Sequence, residues 1–211
     1  MTTHHLVSSL TLPEALMAFL HADNGRPFET ARPQALTATA ELAELVVAGH
    51  AHIEDERVIV DAPAVGERDW VTEVTSALAG HPVGVASWIK QRREALAVQQ
   101  NAAATAGVLN YDRGKLLGLF GYDRHEVDPE VKQALTDALC GPDAESDPRL
   151  PALARLLVKA RLHSRHEFDS GQRARLQELA ERAERTPVPR TATRVIDVAV
   201  GYAIYTSITD G

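Results

Sequence analysis

Residues 108–127 read VLNYDRGKLLGLFGYDRHEV, two short apolar arms about Asp112-Arg113-Gly114 in a chain that otherwise carries helical patterns. An Asp-x-Gly string permits positive φ at the glycine, so the stretch predicts a β-hairpin with its turn at 112–114. Leu116, Leu117, Leu119 and Phe120 then fall within five residues, with glycines at 114, 118 and 121. Successive strand side chains point to opposite faces, which sends Leu117 and Leu119 to one face and Leu116 and Phe120 to the other. An isolated hairpin cannot bury both faces. At least one therefore meets the body of the domain, a second copy of the chain or lipid, and the pattern leaves these three open.

Outward from this stretch the apolar spacing is helical. Upstream, Leu10, Leu12, Leu16, Met17, Phe19 and Leu20 predict a first helix with Thr11 as N-cap and Pro13 in its first turn, ending near Asp23-Asn24-Gly25. A second helix is expected over 34–48, closed by Gly49. Residues 50–60 carry Ile53 and Val58-Ile59-Val60 about Glu54-Asp55-Glu56, which predicts a small hairpin. A helix over 69–79 and a long one over 85–106 complete this half. Downstream, Asp128-Pro129 opens a helix to Cys140, with the Asp as N-cap and Pro at the first position. Further helices are expected over 149–163, 170–185 and 194–208, the last rich in Val and Ile. The expected fold is mainly α: a single-domain helical bundle over 1–211, with a small β-hairpin near 50–60 and a projecting apolar β-hairpin near 108–127.

At 211 residues and 45% hydrophobic, the chain suits one core. With 22 Lys and Arg against 29 Asp and Glu, its net charge is −7, so the basic excess of a nucleic-acid binder is missing and no nucleic-acid partner is expected. Any basic site must be local. Cys140, the single cysteine, cannot form an internal disulfide and fits a reducing compartment. The start of the chain lacks a basic n-region, and Pro13, Glu14 and His21 interrupt its apolar run, so no signal peptide is read there. No span reaches the roughly 18 apolar residues of a membrane helix. The expected location is cytoplasmic, with any membrane contact peripheral and on the inner face.

Candidate chemistry is sparse. The densest basic run is Arg155, Lys159, Arg161, His163, Arg165 and His166, readable either as an anionic-surface contact or as a solvated face countered by Glu167 and Asp169. Asp69 and Glu73 share a helical face with Asp61 upstream, a trio able to hold a cation, although a first-turn acid at Asp69 is the simpler account. Of the nine histidines only His163 and His166 have helical ligand spacing, and no His-Glu-x-x-His accompanies them. Nucleotide-binding glycine motifs and a nucleophile elbow are absent from the sequence. No catalytic residue, metal or cofactor is assigned. A second reading keeps an enzyme or carrier with an apolar helical cavity for a lipid-like or isoprenoid molecule, with Asp61, Asp69 and Glu73 or Arg93 at its mouth.

Several strings, in order, resemble the Golgi phosphoprotein 3 family over nearly the whole chain. They are the leucine-rich opening helix ending Asp23-x-Gly25-Arg26-Pro27, Glu41-Leu-Ala-Glu-Leu45 closing at Ala48-Gly49, and Asp61-Ala-Pro-x-x-Gly66 followed by Asp69. Ala106-Gly107-Val-Leu109, the KLLGLF hairpin and Asp128-Pro129 continue the series. The resemblance implies a compact helical domain with a projecting apolar hairpin that recognises the headgroup of phosphatidylinositol 4-phosphate without catalysis; eukaryotic members also gather Golgi glycosyltransferases. Its headgroup pocket uses a tryptophan and an arginine about the second helix, which fall here on Glu29 and Ala38. Two further arginines, one turn apart on the long helix, fall on Arg93 and Leu96. One of the four is matched, and Arg26, Arg32, Lys90 and Arg92 stand nearby in sequence. The expected anionic-headgroup residues are Arg93, Arg92, Lys90 and Arg32. The expected membrane or oligomer contact is Leu116, Leu117, Leu119 and Phe120, with an anionic lipid surface or a second copy as partner.

Overall fold

A computed structural model describes residues 7–65, 68–116, 120–185, 190–199 and 201, and for 112–116 and 120–123 the backbone alone. Helix α1 (Leu12–Leu20) is buried along its whole length, as a helix apolar at every position but Glu14 must be. It packs against α2 (Pro33–Val47), α5 (Ala95–Thr105), α6 (Pro129–Cys140) and α7 (Arg149–Lys159). Helix α8 (Ser170–Arg182) covers α6 and α7, and residues 190–199 form a further helix that buries Val195, Ile196 and Ala199. The fold is thus mainly helical with two small antiparallel sheets.

In the first sheet β1 (His52–Glu54) pairs with β2 (Arg57–Ile59) across a two-residue turn, with Ile53 opposite Val58. Asp55 and Glu56 both take positive φ there, 47° and 58°, the hand that suits a tight hairpin. The expected hairpin near 50–60 gains a third strand, β3 (Val83–Gly84), against β2. Two residues carry no periodicity, so nothing in the sequence announced it. Helix α3 (Asp69–Leu78) lies between β2 and β3, with Arg68 as N-cap and Asp69 as its first-turn acid.

Two expectations are corrected. The long helix over 85–106 is two helices, α4 (Val85–Gln91) and α5, because Arg92 leaves helical geometry at ψ 62° and reaches the Glu41 carboxylate in the core. The second hairpin does not turn at 112–114. Strands β4 (Leu109–Leu116) and β5 (Phe120–Val127) pair from Leu109–Val127 to Leu116–Phe120, so Asp112, Arg113 and Gly114 are ladder residues. This register sets Asp112 opposite Arg124 and Arg113 opposite Asp123, so the two Tyr-Asp-Arg strings of the stretch lie across the ladder from each other. Residues Leu117 and Leu119, of the expected contact set, lie outside the described residues, as does the end of the C-terminal helix expected to 208. Within the described residues that helix starts at 190, not 194, and α7 ends at Lys159 rather than 163.

Candidate functional site

The foot of the hairpin is tied to the helical body by hydrogen bonds. The backbone N–H of Asp128 donates to Val108 O at 3.0 Å, and that of His125 donates to Gly25 O at 3.3 Å. Arg124 Nη2 donates to Asp23 O at 3.2 Å. Gly25 has φ 74°, and a Cβ there would collide with Cγ of Arg124, so both conformation and approach require glycine. Beneath the foot His21 is 0% exposed. Its Nδ1–H donates to Met17 O at 3.0 Å, while Nε2 accepts from the Gln100 amide at 3.0 Å. The His125 ring stands 6.0 Å from that of His21 and 5.5 Å from Tyr111. Burial keeps His21 neutral, lowering its pKa from 6.5 to about 4, and nearby His125 works in the same direction.

The four basic residues expected at an anionic headgroup do not share one environment. Lys90 and Arg93 are exposed, at the end of α4 and just before α5, with no ion-pair partner among the described residues. Arg32 is exposed in a left-handed conformation, φ 50°, as N-cap of α2. Arg92 is instead drawn inward and is 4% exposed. Its Nε lies 3.0 Å from Glu41, and its Nη1 lies 2.7 Å from Glu73 and 2.6 Å from Glu94. Burial opposes the Arg92 charge, but the Glu41 carboxylate, then Glu73 and Glu94, hold it above its ordinary pKa. Burial also raises the Glu41 carboxyl, against the pull of Arg92 and of Gln99, whose amide donates to it at 2.9 Å. With its donors occupied by the protein's own carboxylates, Arg92 has no fork to offer a phosphate.

Glu41 belongs to a set that the sequence reading did not single out as chemistry. Buried Glu14 holds Arg68 at 2.9 Å and accepts the Thr11 N–H, closing a capping box. Buried Glu44 accepts the Leu12 N–H at 2.8 Å and the guanidinium of Arg149 at 2.8 Å. Each of three buried carboxylates thus meets an arginine from a distant element. The available signal was a glutamate inside an otherwise apolar helical face.

The acidic trio is not assembled. Glu73 is held by Arg92, Asp61 is exposed, and Asp69 alone of the three lines a cleft of about 390 Å³ with Glu14, Arg68, Trp70 and Asn101. Arg93 is not among that cleft's walls. No cluster of three potential metal ligands occurs among the described residues. Burial raises the Cys140 thiol, with Asp169 and Asp137 adding to it, the opposite of an activated nucleophile.

A family model described as Golgi phosphoprotein 3 matches residues 12–199, from the first residue of α1 to the last described turn of the C-terminal helix. The chain belongs to the Golgi phosphoprotein 3 family. No individual curated protein matches it. In this family member the headgroup positions named above are dispersed in character: Glu29 is exposed, Ala38 is fully buried, Leu96 is half-buried and Arg93 is exposed. No helix among the described residues is long and apolar enough to cross a membrane.

Proposed function

We propose that this Golgi phosphoprotein 3 family member is a non-catalytic peripheral adaptor that docks on an anionic membrane surface. The apolar end of its hairpin supplies the hydrophobic contact, and exposed Arg93, Lys90 and Arg32 supply phosphate donors. The observation that carries this reading is the hairpin itself. Its strands form a two-stranded sheet of their own, rooted at Gly25 and Val108, with the Leu116–Phe120 pair at the far end of an eight-pair ladder. Such a ladder is roughly 25 Å long at about 3.4 Å per residue. Its middle is polar and its end apolar, which matches a headgroup layer followed by acyl chains. Each basic side chain near an anionic leaflet contributes on the order of 1 kcal/mol.

Flotation of the full chain with phosphatidylserine-containing vesicles tests this. Wild type is expected to float, and a Leu119→Asp, Phe120→Asp variant to lose at least tenfold in bound fraction. Flotation of neither removes the membrane reading, and equal flotation of both removes the hairpin from it. Equal flotation with a drop in mass by light scattering would reassign the hairpin to contact between copies.

A further inference from the structure

The basic run of 155–166 is divided by the fold. Arg155 turns to Asp197 and Glu184, and Lys159 to Asp197, so these two are countered within the molecule. Arg161 and Arg165 lie beyond the end of α7 and are exposed. Arg165 Nη2 donates to Thr30 Oγ1 at 3.4 Å, joining the 161–168 loop to the 22–32 loop that holds the hairpin's foot. An aromatic seam fixes the same junction: His166 Nε2–H donates to Phe19 O at 2.7 Å, and the His166 and Phe28 rings meet edge-on at 5.6 Å. Arg32 and Arg161, one on each loop, both take left-handed backbone, φ 50° and 56°. For non-glycine residues this conformation is unfavourable and persists where the surroundings impose it. Burial is the main effect lowering the His166 pKa, and Lys132 is close enough for its charge to add to it. Asp23 is close enough to act on the same ring in the opposite sense, and exposed Glu29 and Glu167 neighbour the junction in sequence.

We propose that Arg161 and Arg165 extend the anion-binding face from Arg32, with Lys132, across the 161–165 loop, as a docking surface for the phosphates of an anionic bilayer. This rests on the membrane reading above and gives it a second set of contacts. Charge complementarity selects the partner's sign: a chain of net charge −7 is repelled by an anionic surface except where its cations are gathered. Continuity with the foot of the apolar hairpin selects a bilayer over a nucleic acid. The face is preformed, because hydrogen bonds and rings already hold the two loops together, so little ordering accompanies docking.

The test compares two double variants of equal charge in the full chain on vesicles of phosphatidylserine in phosphatidylcholine. Arg161→Gln, Arg165→Gln is expected to weaken binding about 30-fold, at roughly 1 kcal/mol per basic residue. Arg173→Gln, Arg175→Gln, on exposed positions of α8, is expected to change it less than threefold. Arg161→Lys, Arg165→Lys, which keeps the charge, should bind within about threefold of wild type, with all three variants unfolding cooperatively. Equal loss in the two Gln variants overturns the proposal, since net charge alone would then act. No loss in Arg161→Gln, Arg165→Gln while Leu119→Asp, Phe120→Asp abolishes binding overturns it and leaves the membrane reading standing. Absence of wild-type binding removes both. A loss confined to RNA binding, with vesicle binding intact, would give the surface to nucleic acid and overturn the proposal.

Discussion

Arg92 and Arg93 are adjacent and chemically identical, yet the fold gives them opposite situations. Arg92→Met would leave the fully buried Glu41 carboxylate with Gln99 as its remaining hydrogen-bond donor. Breaking a buried pair from one side costs about 3–5 kcal/mol, so a drop of that size is expected in urea unfolding, part of it recovered by adding Glu41→Gln. Arg93→Met should stay within about 0.5 kcal/mol of wild type in stability while weakening anionic-vesicle binding. Its neighbourhood holds no carboxylate partner among the described residues. His21 makes a second prediction. Its folded pKa of about 4 lies below the ordinary 6.5, so the unfolded chain binds the extra proton first. Stability is whole above pH 6.5 and declines as pH falls from 6.5 to 4, by about 3 kcal/mol at roughly 1.4 kcal/mol per unit, with no further loss from this group below. Subtracting the pH profile of a His21→Gln variant from that of wild type isolates the effect; parallel profiles would refute it.

Among the elements, the hairpin depends on a single glycine at its foot. Gly25→Ala introduces a Cβ at φ 74° against Arg124, and should cost about 1–2 kcal/mol and free the Arg124 contact with Asp23 O. Amide exchange is expected to accelerate at His125, whose N–H bonds to Gly25 O, while α6 is unaffected. Exchange unchanged at His125 would show that the foot tolerates the substitution. The hairpin's existence was legible from its apolar cluster and glycines, but its turn was not. Asp-x-Gly is a local signal for reversal, and it lost to a non-local one, the register that sets Asp112 opposite Arg124 and Arg113 opposite Asp123. The Asp128 cap behaved otherwise: its Oδ1 accepts the Glu130 and Val131 N–H groups as the sequence announced, because a cap's partners lie within three residues.

Across the whole molecule, the sequence by itself determined the helical class, most element positions, the two hairpins and the membership of the Golgi phosphoprotein 3 family. Periodicity, caps and turn residues are local, and an ordered series of local strings suffices to specify a family. The break between α4 and α5, the added strand β3 and the allocation of the arginines were decided only by the tertiary structure. Arg92 meets Glu41 across 51 residues of chain and Arg149 meets Glu44 across 105, distances over which no spacing rule operates. Packing left Arg93 and Arg161 exposed and paired Arg92 and Arg155 with carboxylates, and nothing written beside them in the chain made that division.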